Sequence, residues 1–99
     1  MERAIEVNEK DREPLLENIL NLHFGRTYRV QTAYVVYEGI LDGFVAKITK
    51  GKTTPHKIKL RNGFVFDFRY LGTDFEKIIP FLNKDIDYGN FYVKSYKEI

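Results

Sequence analysis

The stretch KIKLRNGFVFDFRY, residues 57–70, limits the fold more than any other part of the chain. Two alternating runs meet at Asn62-Gly63, and loop length determines which side chains share a face. A two-residue Asn62-Gly63 turn would pair Arg61 with Phe64 and set Lys57, Lys59 and Arg61 beside Phe64, Phe66 and Phe68, leaving no clean apolar face. A three-residue loop, Arg61-Asn62-Gly63 with Gly63 left-handed in a bulge, pairs Leu60 with Phe64 and Ile58 with Phe66 instead. Ile58, Leu60, Phe64, Phe66 and Phe68 then form the buried face, and Lys57 and Lys59 look outward beside Val65 and Asp67.

That outward face belongs to a longer basic run. Residues 46–63, AKITKGKTTPHKIKLRNG, hold Lys47, Lys50, Lys52, Lys57, Lys59 and Arg61 with no acidic residue. From Arg26 to Arg69 nine basic residues stand against three acidic ones. That stretch carries +6, and the two ends together carry −4 of the net charge of +2. If folding keeps these segments apart, one surface is basic and another acidic. The candidate contacts are Lys50, Lys52, Lys57, Lys59 and Arg61, which could neutralise phosphates of a nucleic acid or meet an acidic protein. Tyr34, Tyr37, Tyr70 and Tyr92 are candidate stacking surfaces for unpaired bases. The competing reading is a hairpin kept soluble, and kept from pairing with other chains, by its lysines.

Other segments supply the remaining elements. RAIEVNE alternates as a short edge strand. Asp11 is expected to cap a helix with Pro14 in its first turn; Leu15, Leu16, Ile19, Leu20, Leu22 and His23 form its core stripe, and Gly25 ends it. TYRVQTAYVVYEGILDGFVAKIT reads as two antiparallel strands broken at Glu38-Gly39 and Asp42-Gly43, the first with two apolar faces and therefore central. Thr73-Asp74-Phe75-Glu76 has the form of a capping box for a short helix, with Phe75, Ile78, Ile79, Phe81 and Leu82 inward and Pro80 kinking or ending it. FYVKSYK closes the chain as a strand with Tyr92, Lys94 and Tyr96 on one side.

Ninety-nine residues are expected to make one domain, 1–99, of α+β class: one main helix and one short helix on a curved, mostly antiparallel sheet of five or six strands. With no cysteine, disulfides, thiolate metal sites and thiol nucleophiles are excluded. No apolar run approaches the ~20 residues of a membrane helix. A soluble protein in the cytoplasm is the expectation, without membrane partners, cofactor or metal. A single methionine, a single glutamine and many Lys, Glu, Ile and Tyr give a thermophile-like profile.

Catalytic chemistry is not evident. The lone serine, Ser95, has no base at a telling spacing; His23 reads as a helix-end residue and His56 as a solvated loop residue. Asp85 and Asp87 read as turn residues, with a divalent ion as the sharper alternative. A metal-dependent nuclease is the third functional reading, behind a non-enzymatic binding protein and a homodimeric interaction protein.

A helix followed by VVYEGILDGFVAKIT and KIKLRNGFVFDFRYLG resembles the helix-plus-bent-sheet plan of Sm-like RNA-binding proteins, although the aspartate and asparagine those proteins hold in their second and third strands are absent. NFYVKSYKEI and FEKIIPFLNKD, with the length and the missing cysteine, resemble small orphan proteins of filamentous viruses infecting hyperthermophilic crenarchaea. That resemblance implies a heat- and acid-stable protein made in the host cytoplasm, and transfers no site.

Overall fold

A computed structural model describes residues 2–82 and 91–99. It has the expected α+β class, with six strands in a mostly antiparallel sheet and two α-helices among the described residues. In chain order these are β1 (Glu2–Asn8), α1 (Pro14–Leu20), β2 (Thr27–Thr32), β3 (Val36–Thr49), β4 (Lys52–Leu60), β5 (Val65–Asp67), α2 (Phe75–Leu82) and β6 (Val93–Glu98). The path through the sheet is β5-β4-β3-β2-β6, with β1 paired to β3 off that path.

The sheet is organised by β3. Val36–Ile40 pair with β2, Gly43–Thr49 pair with β1, and β4 pairs along Leu41–Thr49. Both glycine dipeptides expected to break the chain lie inside this one strand. They serve close approach instead of turning: a Cβ at Gly39 would sit 3.2 Å from the Leu60 Cβ, and one at Gly43 would sit 3.3 Å from the Val7 carbonyl oxygen. The turn between β2 and β3 is at Ala33-Tyr34. There the Thr32 hydroxyl accepts from the Val35 amide at 3.0 Å and donates to the Val35 carbonyl at 2.8 Å. The expected central strand is central only as far as Thr32, where β2 lies between β3 and β6; its continuation is a hairpin tip, which leaves Tyr34, Val35 and Val36 exposed.

The ribbon argued from residues 57–70 is present. Gly63 has φ +91°, Leu60 and Phe64 are joined by an amide–carbonyl bond of 3.1 Å, and Ile58 lies opposite Phe66. Ile58, Leu60, Phe66 and Phe68 are buried with Val7, Leu22, Tyr28, Val30, Leu41, Phe44 and Val93. Phe64 is half covered: Tyr37 packs against both Phe64 and Phe66 at 5.0 Å, and Phe91 closes the group at 6.0–6.1 Å. At the far end of the path, the Asp67 amide donates to the Phe91 carbonyl at 2.8 Å and Asp67 bridges Tyr92, so β5 meets the start of β6.

The first helix is shorter than its stripe. Asn8 caps a 3-10 turn, Glu9–Asp11, and α1 starts one residue after Glu13, with Pro14 in its first turn; Asp11 does not cap it. It ends at Asn21, whose φ of 54° makes it the left-handed cap; Gly25 lies further on. Seven residues make two turns and cannot bury a wide stripe. Leu20 packs inward, while Leu15 (71% exposed) and Ile19 (52%) face out. Two tyrosines hold the helix end to the sheet: the Tyr28 hydroxyl accepts from the His23 amide at 2.8 Å, and Tyr96 donates to the Leu20 carbonyl at 3.1 Å. Burial pushes both phenols above their ordinary titration range.

Near the C-terminus three expectations change. Asp74, not Thr73, accepts from the Glu76 amide at 3.1 Å, while the Thr73 hydroxyl donates to the Tyr70 carbonyl; Pro80 sits within α2. Ile78 and Ile79 pack with Tyr92, whereas Phe81 is exposed. The side chains of Phe75 and Leu82, and the turn holding Asp85 and Asp87, lie outside the described residues. In β6 a register shift opposite Gln31/Thr32 makes Lys94 an extra residue, so Val93 and Tyr96 turn inward together and Tyr92 joins the α2 cluster.

Candidate functional site

In an antiparallel pair, residues directly opposite each other project on the same side of the sheet. Along β3 and β4 the pairs are Thr49 with Lys52, Lys47 with Thr54, Val45 with Lys57 and Gly43 with Lys59. The β3 partners are all odd-numbered. Those on β4 change parity between Thr54 and Lys57, because the register shifts at Val45/Ala46 and leaves His56 as an extra residue. Without that bulge Lys52 and Lys57 would lie on opposite faces. With it, Lys52, Lys57 and Lys59 line one outer face, joined there by Lys47. His56 is thus a half-buried strand residue at a bulge, not a solvated loop residue.

The same register brings in the acids. On β1, Glu2 lies opposite Thr49, Glu6 opposite Val45 and Asn8 opposite Gly43; on β5, Asp67 lies opposite Lys57 and Val65 opposite Lys59. Lys47 pairs with Glu2 at 3.2 Å, Lys59 with Asp42 at 3.8 Å, and Arg61, held in the loop, with Glu9 at 3.3 Å. Folding therefore interleaves the acidic N-terminal segment with the basic run and does not segregate them. Among the described residues no ion pair involves Lys50, Lys52 or Lys57. Lys50 and Gly51, with φ of 52° and 78°, form the left-handed turn that joins β3 to β4, so Lys50 stands at the hairpin tip.

A cleft of about 630 Å³ opens where this face meets the 3-10 turn, with Glu6, Glu9 and Asp42 near Lys57 and Lys59. Its charge is mixed. The tyrosines singled out for stacking are not on the lysine face: Tyr92 is buried, Tyr70 packs edge-on against it at 4.7 Å, Tyr37 packs on Phe64 and Phe66, and Tyr34 stands at the β2–β3 tip. Among the described residues the face offers cations without rings.

One ionisable group is deeply buried away from this surface. Glu17, 1% exposed, accepts from the Arg12 guanidinium at 2.7 and 3.3 Å and from the Phe24 amide at 3.5 Å. Burial alone would raise its titration range, but the bonds from Arg12 and Phe24 outweigh that and hold the carboxyl below the ordinary value. Its partners explain it as a brace between α1 and the segment leading to β2. Among the described residues no three His, Asp or Glu side chains converge as metal ligands, and no helix is long and apolar enough to cross a membrane.

Sequence reasoning anticipated the direction of Lys57 and Lys59 but missed the bulge that adds Lys52 to them. The sequence carries no clear signal for it: Lys-Ile-Lys-Leu alternates, but Lys-Thr-Thr-Pro-His has no apolar alternation to set its phase, and Thr53–His56 are all partly buried. Comparison of the chain with protein-family models, with curated proteins and with solved structures yields no match.

Proposed function

We propose that this chain is a non-enzymatic binding protein whose β4 lysines contact the phosphate backbone of nucleic acid. The observation that carries the reading is the His56 bulge, which places Lys52, Lys57 and Lys59 on one face, with Lys50 at its tip. Three of these four, Lys50, Lys52 and Lys57, make no ion pair among the described residues. Nine residues of β4 span ~30 Å at ~3.3 Å each. The absence of aromatic rings on that face among the described residues argues for contact without base reading, so affinity is modest and sequence-independent.

About three phosphate contacts imply that log K falls with log salt at a slope near −2.7 on duplex DNA, a roughly fortyfold loss between 50 and 200 mM. Fluorescence anisotropy of labelled duplexes against stepped salt measures this. The double variant Lys52→Glu, Lys57→Glu is expected to abolish binding, whereas Lys59→Gln and Arg61→Gln, which remove cations already paired, are expected to change it little. Salt-independent binding, or a double variant that binds as well as the parent, would sink the proposal. Binding of an acidic protein in place of nucleic acid would redirect it.

The homodimer reading retains one observation of its own: Tyr34, Val35 and Val36 are exposed together at the β2–β3 tip. Sedimentation at rising concentration tests it, and a concentration-independent monomer disposes of it.

A further inference from the structure

We infer that a second cleft, at the edge of β4, binds the phosphate group of a nucleotide. The cleft is about 370 Å³ in volume, and three of its lining residues are Lys47, His56 and Arg69. Among the described residues no carboxylate-bearing residue lines it. Pro55, Phe68 and Leu71 supply an apolar wall.

Three independent features converge there. First, β5 pairs with β4 only at Lys57–Lys59, so among the described residues no strand pairs with the edge from Lys52 to Pro55 on that side, and Pro55 has no amide to leave unpaired. Second, the bulge that aligns the lysine face also makes His56 the residue without a partner on β3, and bulges re-aim side chains in this way beside binding sites. The His56 carbonyl accepts from the Phe68 amide at 3.1 Å, which fixes the backbone from which the imidazole projects. Third, Arg69 is oriented: its guanidinium lies 5.7 Å from the centre of the Tyr92 ring, donates to the Tyr92 hydroxyl at 3.4 Å, and reaches Asp67 only at 3.9 Å. Tyr92 is itself held edge-on by Tyr70 at 4.7 Å.

The chemistry favours phosphate over a simple carboxylate. A planar guanidinium, an ammonium and an imidazole can meet three oxygens of a tetrahedral anion from different sides, and the Thr54 hydroxyl is a further lining donor. Lys47 already holds Glu2 at 3.2 Å, so a ligand must compete for it. The volume exceeds what one phosphate fills and falls near the lower end of small-ligand sites, about 300–1,000 Å³. The apolar wall beside the cations then suits the base or sugar of a nucleotide. This inference does not rest on the lysine face, because a free nucleotide would bind whether or not a polymer does.

Titration calorimetry with adenosine monophosphate, adenosine and inorganic phosphate, using the full chain, tests the assignment. Oligothymidylate with a 5′-phosphate or a 5′-hydroxyl end identifies the source of the phosphate. Adenosine monophosphate is expected to bind at least tenfold more tightly than adenosine, and Arg69→Gln and His56→Ala are each expected to weaken it about tenfold. Because Arg69 also orients Tyr92, Lys47→Gln serves as a second variant, expected to weaken binding with unchanged thermal unfolding. A preference for the phosphorylated oligonucleotide end assigns the cleft to strand termini; binding of the mononucleotide alone assigns it to free nucleotides, and both support the site. Equal affinity for adenosine and its monophosphate, or binding untouched by all three variants, would overturn it.

Discussion

Phe66→Ala is expected to cost about 3–5 kcal/mol of folding stability and to lower the Tm by on the order of 20 °C. Phe66 is fully buried and lies opposite Ile58 on β4, within 5.0 Å of Tyr37 and 6.1 Å of Phe91. Removing its ring empties space that rigid neighbours on three different strands or strand ends line, so little of the cavity can close. The loss also reaches the contact between β5 and the start of β6, because the Asp67–Phe91 bond is one residue away. Val65→Ala is the internal control. Val65 is adjacent but half exposed on the lysine face, and its truncation is expected to stay within about 0.5 kcal/mol. Urea unfolding of the two variants measures the difference, and equal costs would mean that the ribbon register is wrong.

Arg12→Ala is expected to destabilise the protein clearly at neutral pH, a strong effect for a half-exposed side chain. The reason lies in what it leaves behind: Glu17 would stay buried as a carboxylate with only the Phe24 amide at 3.5 Å. Breaking a fully buried pair is strongly destabilising, and water reaches the Arg12 side of this one, which lessens the effect. The pH dependence has a definite sign. In the parent the Glu17 carboxyl titrates below its ordinary value of ~4.3, so its contribution is complete above that value and disappears as pH falls through the folded range. In Arg12→Ala the depressing partner is gone, and a neutral carboxyl needs no counter-charge. The gap between parent and variant should therefore shrink from pH 7 towards pH 3. A gap of constant size would contradict the brace assigned to Glu17.

The ribbon at residues 57–70 was legible because two independent signals agree there, a phenylalanine alternation and a glycine able to take a positive φ. The β2–β3 turn was not legible. Its turn residues are Ala33 and Tyr34, which carry no turn signal, and the work is done by the hydroxyl of Thr32. The two glycine dipeptides that do look like turns are read differently once Leu60 and Val7 are seen to press on them, a contact between segments distant in the chain. Leu15 and Ile19 matched a helical stripe, yet a two-turn helix has only a narrow buried side. The lysine direction could be derived locally, but the neutralising acids could not. Glu2 and Glu9 meet Lys47 and Arg61 because β1 pairs with β3, a long-range choice that no local pattern encodes.

The measurement closest to the central claim is an amide chemical-shift map of the isotope-labelled protein during titration with a short DNA duplex at low salt. The largest changes are expected at Lys50, Lys52, Thr54 and Lys57, along one side of β4, and they should vanish as salt is raised. Changes confined to Tyr34–Val36 and Phe64, or changes that persist at high salt, would contradict the claim that the lysine face is the working surface.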